Sequence, residues 1–115
     1  MRWSEEQYAA HLKQQRDDLT LERDFQRQVM QAADAAHWLA YHPVTSKKSR
    51  RGFPDTVLVK GTTVLFAELK MPWGRLSPDQ RVWMDALQQV QAVEAYVWTP
   101  EDYETISARL FRQTR

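Results

Sequence analysis

Residues 52–70 read GFPDTVLVKGTTVLFAELK, and the interpretation of this stretch decides the fold. Val57-Leu58-Val59 and Val64-Leu65-Phe66 are β-branched or large apolar runs, separated by Gly61-Thr62. Such runs around a short glycine-containing break predict a β-hairpin, and glycine at the first of two loop positions signals a type II′ turn. With Gly61 and Thr62 as the loop, Lys60 opposes Thr63, Val59 opposes Val64, Val57 opposes Phe66 and Asp55 opposes Glu68. Opposed side chains share a face, with Cβ atoms about 4.5–5.5 Å apart. Lys70 lies two residues beyond Glu68 and projects from that same face. The register alone therefore predicts that Asp55, Glu68 and Lys70 converge.

Two like charges set opposite one another cost stability unless something neutralises them. A divalent cation does so, and hard oxygen ligands on neighbouring strands suit Mg²⁺ or Mn²⁺. A lysine beside such an ion is placed to hold or help deprotonate a water aimed at a phosphate. The bland alternative is a surface hairpin carrying an ordinary Glu-x-Lys pair. Glu68 follows the buried-looking run Val64 to Ala67, however, which is not the pattern of a solvated face.

Three pieces now stand in order: Gly52-Phe53-Pro54-Asp55, then Glu68-Leu69-Lys70, then Gly74-Arg75-Leu76-Ser77-Pro78-Asp79-Gln80. Together they resemble the VRR-NUC domain, the virus-type replication-repair nuclease of the restriction-endonuclease-like superfamily, whose signature is Pro-Asp followed by Asp/Glu-x-Lys. The resemblance is strongest from Gly52 to about Leu87 and looser from Glu22 to about Leu110. It implies an α/β fold with a restriction-endonuclease-like core, a small mixed β-sheet flanked by helices. It also implies Asp55 and Glu68 as metal ligands, the Leu69 carbonyl as a further ligand, and Lys70 as a catalytic residue. By the same resemblance Glu22, in a Glu-x-x-x-Gln setting with Gln26, reaches toward the metal, and Gln80 lies near the active site. Asp24 is the competing carboxylate and ranks below Glu22. Stand-alone members of the family look like homodimeric enzymes that act on branched DNA, including four-way junctions.

The chain has 115 residues, enough for one domain with a real core, and 43% hydrophobic with 27% charged content is ordinary for a globular protein. It contains no cysteine, which excludes disulfides and thiolate metal sites and fits a cytoplasmic setting in a bacterial or phage-infected cell. No apolar run approaches membrane-spanning length. The net charge of +1 neither demands nor forbids nucleic acid, so distribution matters more.

A single domain over 1–115 is expected, with a polar helical leader over 1–18 whose Ser4 and Gln7 form a capping box. A stronger helix is expected from about Thr20, its cap, to His37, with Leu21, Phe25, Val29, Ala32, Ala33 and Ala36 recurring at helical spacing. Trp38 to His42 reads as a first strand, ended or left at an edge by Pro43. His37 and His42 are tempting as ligands, but a lone histidine near a strand end is more often structural, and a phosphate contact by His42 is the lesser alternative. Lys47, Lys48, Arg50 and Arg51 form a cationic run that leads directly into Asp55, as docking of a polyanion such as DNA requires. Arg75 is a further candidate phosphate contact.

Ser77-Pro78-Asp79-Gln80 opens a helix with serine as N-cap, proline at N1 and glutamine at N3. Its buried face is expected to be Val82, Trp83, Ala86, Leu87 and Val90. Ala95 to Trp98 reads as a strand, and Thr99-Pro100-Glu101-Asp102 caps a last helix whose Ile106, Leu110, Tyr103 and Phe111 turn inward. The order is αβββαβα, with helices expected on both faces of the sheet.

The leading expectation is a Mg²⁺- or Mn²⁺-dependent DNA endonuclease selective for branched DNA such as four-way junctions. Its rivals are a nucleic-acid-binding module without turnover, a flap or single-strand nuclease, and a small oligomeric scaffold. A homodimer is expected, because Trp3, Tyr8 and Trp73 lie outside the clear core faces and surplus aromatics favour interfaces.

Overall fold

The computed structural model describes residues 4–7, 10, 22–43 and 51–112. Its elements are α1 (Glu22–Ala35), β1 (Leu39–Tyr41), β2 (Thr56–Lys60), β3 (Thr63–Leu69), α2 (Pro78–Gln88), β4 (Val93–Trp98), a 3-10 turn (Pro100–Asp102) and α3 (Tyr103–Phe111). Four strands form one sheet in the order β1-β2-β3-β4. The first two pairings are antiparallel, and β3 pairs with β4 in parallel. A parallel pair needs a crossover connection, and α2 supplies it. This is the expected αβββαβα order and the mixed, helix-flanked sheet of a restriction-endonuclease-like core.

The hairpin register is the expected one: Lys60 pairs with Thr63, Val59 with Val64, Val57 with Phe66 and Thr56 with Ala67. Gly61 takes φ 60°, while Thr62 has no positive φ, which is the pattern of a type II′ turn. One sheet face presents Leu58, Leu65, Ala67, Leu69 and Trp98 to Phe25, Val29, Ala32 and Ala33 of α1 and to Ile106 and Leu110 of α3. That face holds the core.

The C-terminus of α1 is closed by a Schellman motif: His37 N–H donates to Asp34 O and Trp38 N–H to Ala33 O, with His37 at φ 69°. This accounts for His37 structurally. Trp38 Nε1–H in turn donates to Leu110 O over 2.8 Å, tying α1 to α3. Behind it, Arg109 lies over the Trp38 ring and forms a two-pronged ion pair with Glu94 of β4.

Several expectations need correction. The opposite sheet face is only partly covered, and Leu39 and Tyr41 remain 77% and 62% exposed. Four strands span roughly 14 Å, whereas α2, the single helix on this face among the described residues, is about 10 Å wide. Within α2, Val82, Ala86 and the trailing Val90 face solvent, and Met84 is the buried residue. The rotation is set by tertiary anchors: Phe53 packs edge-on between Phe66 and Trp83, with centroids 6.0 and 5.0 Å away. The fourth strand begins at Val93 rather than Ala95, because its pairing with β3 starts at Val64↔Val93. Phe111 is exposed rather than packed inward.

In the leader, Ser4 and Gln7 make the reciprocal bonds of a capping box (2.8 and 3.1 Å). Most of the leader, Thr20, Leu21, and Lys47, Lys48 and Arg50 lie outside the described residues. Among the described residues no helix is long and apolar enough to cross a membrane.

Candidate active site

At the open end of the hairpin the chain leaves the ladder but keeps its register. Asp55 N–H donates to Glu68 Oε1 over 3.2 Å, so Asp55 and Glu68 face one another as the pairing sum requires. Lys70 completes the group, its Nζ 3.8 Å from Glu68 Oε2. The Lys70 N–H donates to Trp98 O (2.8 Å), which fastens the end of β3 to β4.

The surroundings hold the two carboxyls tightly. Glu68 is only 4% exposed, and its Oε2 accepts from Gln80 Nε2–H over 2.9 Å. Gln80 also accepts the Ser77 N–H through Oε1 (2.8 Å), while Ser77 Oγ accepts the Gln80 N–H (3.1 Å). Gln80 therefore caps α2 with one end of its amide and holds Glu68 with the other. Asp55 Oδ1 accepts from the Thr56 hydroxyl over 3.0 Å, and both of its carboxylate oxygens lie 3.4 Å from the Leu69 N–H.

Gly52 supplies the close approach that this packing needs. It sits at φ 88°, and a Cβ added there would lie 2.4 Å from the Asp79 carbonyl carbon. The turn leading into Asp55 thus rests directly on the first turn of α2. From the other side His42 Nδ1–H donates to the Asp55 carbonyl (2.7 Å), and its Nε2 lies 2.9 Å from Gln26 Oε1 on α1. Both ring nitrogens are engaged inside the protein. His42 fixes the Asp55 backbone, the structural role that a histidine near a strand end more often has.

Burial pushes the Asp55 carboxyl up to about 6, against the opposing pull of the Thr56 hydroxyl. Burial and then the Asp55 charge push Glu68 up to about 7, with Lys70 pulling the other way. Glu22, in the first turn of α1, adds a smaller upward push on both, so its charge lies within electrostatic reach of the pair. Asp24 instead lies 3.7 Å from Arg27. Among the described residues no three His, Cys, Asp or Glu side chains are grouped closely enough to hold an ion as they stand. Arg51 and Arg75 are exposed.

Sequence reasoning missed the work of Gly52, Thr56 and His42 around Asp55. The only signal was glycine placed three residues before Asp55; the His42 contacts arise from the α1–β1 packing.

A hairpin that joins Pro-Asp to Glu-x-Lys, backed by a capped helix whose N3 glutamine touches the glutamate, is the geometry the three sequence pieces imply. Neither a curated protein nor a solved structure matches the chain. A family description, the VRR-NUC domain, matches residues 1–99. This match covers most of the chain, which belongs to the VRR-NUC domain family of nucleases.

Proposed function

We propose that the protein is a metal-dependent endonuclease that hydrolyses phosphodiester bonds in branched DNA. One observation carries the reading. Buried Glu68 and half-buried Asp55 sit side by side at the hairpin mouth, both pushed toward the protonated form, with Lys70 beside them. Burying two carboxylates together is costly unless a cation compensates, and an all-oxygen donor set matches Mg²⁺ or Mn²⁺. The residues that fit this ion are Asp55, Glu68 and the Leu69 carbonyl, with Glu22 of α1 as a proposed further ligand. Bound there, the ion would lower the pKa of a water and offset charge on the phosphate.

The chain's own groups divide the remaining work. Lys70 orients the attacking water and offsets charge that grows on the phosphate in the transition state. Gln80 and Thr56 hold the two carboxyls in position. His42 and Gly52 fix the backbone that carries Asp55. Arg51 and Arg75, with Lys47, Lys48 and Arg50, draw in the phosphate backbone without reading its sequence.

Symmetric cutting of a four-way junction needs two sites related by a two-fold axis, hence a homodimer. The uncovered sheet face with Leu39 and Tyr41 supports a second copy as its cover. Trp3 and Tyr8, also read as interface aromatics, lie outside the described residues.

The test is cleavage of matched linear, flapped and four-way DNA with Mg²⁺, Mn²⁺ or chelator, alongside Asp55→Asn, Glu68→Gln and Lys70→Ala. The expected result is metal-dependent cutting that falls at least about a hundredfold in each variant. Among the described residues no third ligating side chain is grouped with the pair, which favours a second reading, a nucleic-acid-binding module without turnover. Folded protein that binds DNA but cuts none of these substrates with either metal would establish that second reading. Light scattering over a concentration series decides the dimer.

A further inference from the structure

We propose that Trp73 is a stacking platform for an unpaired DNA base next to the scissile phosphate, and that it directs the enzyme toward strands with free bases. The proposal deepens the nuclease reading and rests on it.

Met71 to Gly74 form a β-turn closed by Gly74 N–H donating to Met71 O over 2.8 Å. Proline at the second position pre-sets the backbone of this turn and glycine favours the fourth. Trp73 occupies the third, at the tip. The turn is anchored on one side by buried Met71 and on the other by the Lys70 N–H bond to Trp98 O. Trp73 itself is 70% exposed, more than any other aromatic side chain among the described residues. A large flat ring is thus held out on a stiff turn and contributes little to the core.

Its position gives the ring a partner. The turn folds back on the reactive end of β3, since a Cβ at Gly74 would sit 3.5 Å from Lys70 Cδ. The indole is therefore carried one residue away from backbone that touches the Lys70 side chain. Arg75, exposed on the other flank, adds a cation for a neighbouring phosphate. An aromatic face beside cations is how proteins hold unpaired strands, because any base offers a π-face once it leaves the stack. Bases inside a duplex have both faces covered, so the platform takes only a base freed at a branch, flap or gap. A protein interface needs a broad apolar area, whereas a base needs one ring.

The experiment uses the full chain carrying Glu68→Gln, so that cutting does not interfere. It is titrated with Mg²⁺ into flapped DNA bearing 2-aminopurine as the first unpaired nucleotide, and into linear duplex bearing it paired. Stacking on the indole is expected to quench 2-aminopurine in the flapped DNA. Adding Trp73→Ala should remove that quenching and weaken flap binding about tenfold or more, as loss of one stacked base does. Trp73→Phe should restore most of both, and the loss on linear duplex should be much smaller. Equal losses on flapped and linear DNA, or no loss on either, would overturn the proposal. A lower mass in light scattering for Trp73→Ala would overturn it too, by assigning the ring to a second copy. Failure of the nuclease reading looks different: unsubstituted protein would cut nothing while the flap-specific quenching persisted.

Discussion

A Cβ at Gly52 would lie 2.4 Å from the Asp79 carbonyl carbon, so the turn carrying Asp55 and the first turn of α2 are in direct backbone contact. Gly52→Ala must push these two segments apart, and it also places a side chain at φ 88°. Strain of that kind costs about 1–3 kcal/mol. The expected outcome is a lower melting temperature together with a loss of cleavage larger than the stability change explains, because Asp55 moves away from Glu68. A variant that melts early yet cuts normally would separate this contact from the site.

The paired carboxyls predict an unusual pH dependence in metal-free protein. Asp55 and Glu68 titrate near 6 and 7 when folded, above their ordinary values of 3.8 and 4.5. The folded state therefore binds these protons more tightly than the unfolded chain does. Their stabilising contribution is full below about pH 4 and is lost as pH rises through 6 to 7. Glu68→Gln should accordingly gain stability relative to the unsubstituted chain between pH 5 and pH 8, measured by urea unfolding in EDTA. Mn²⁺ should narrow that gap at pH 8, since an ion that binds only the folded state stabilises it by mass action.

The two ends of the Gln80 amide do separable jobs. Ser77→Ala removes a capping partner and should cost about 1 kcal/mol, while the bond from Gln80 Nε2 to Glu68 Oε2 survives. Gln80→Glu keeps an acceptor for the Ser77 N–H but brings a third carboxylate against Glu68. It should leave helix stability nearly intact in metal-loaded protein and cut turnover sharply. Melting curves and single-turnover cleavage of both variants check the pair of outcomes.

Neutralising Lys47, Lys48, Arg50 and Arg51 together should weaken DNA binding and flatten its salt dependence, because fewer counterions are released. Turnover at saturating DNA should fall much less. The measurement is the slope of log affinity against log salt, and an unchanged slope would remove this segment from the phosphate contacts.

Much of the site was legible in the sequence because it depends on local rules. A two-residue loop with glycine first fixes the register, and the register places Glu68 opposite Asp55 without help from the rest of the chain. The Ser77 to Gln80 cap was equally readable. The face of α2 was not, because Val82, Ala86 and Val90 are as apolar as Trp83, Met84 and Leu87. Only the contacts of Gln80 with Glu68 and of Trp83 with Phe53 choose between those stripes. The partners of His42 were unreadable for a related reason: the Asp55 carbonyl and Gln26 lie 13 and 16 residues away and meet only when α1 docks on the sheet.

The two-residue turn at Gly61-Thr62 also has a kinetic consequence. Hairpins close in about 1–10 μs, whereas the parallel pairing of β3 with β4 must wait for the whole α2 crossover. Asp55 and Glu68, 13 residues apart, are therefore thrown together by one of the earliest events open to this chain. Their repulsion then acts on the nascent hairpin, before core burial can outweigh it. Before burial the two carboxyls keep their ordinary values of 3.8 and 4.5, so refolding should be faster at about pH 4 than at pH 8, and the pair that prepares the site for a cation sets a toll on the route into the fold.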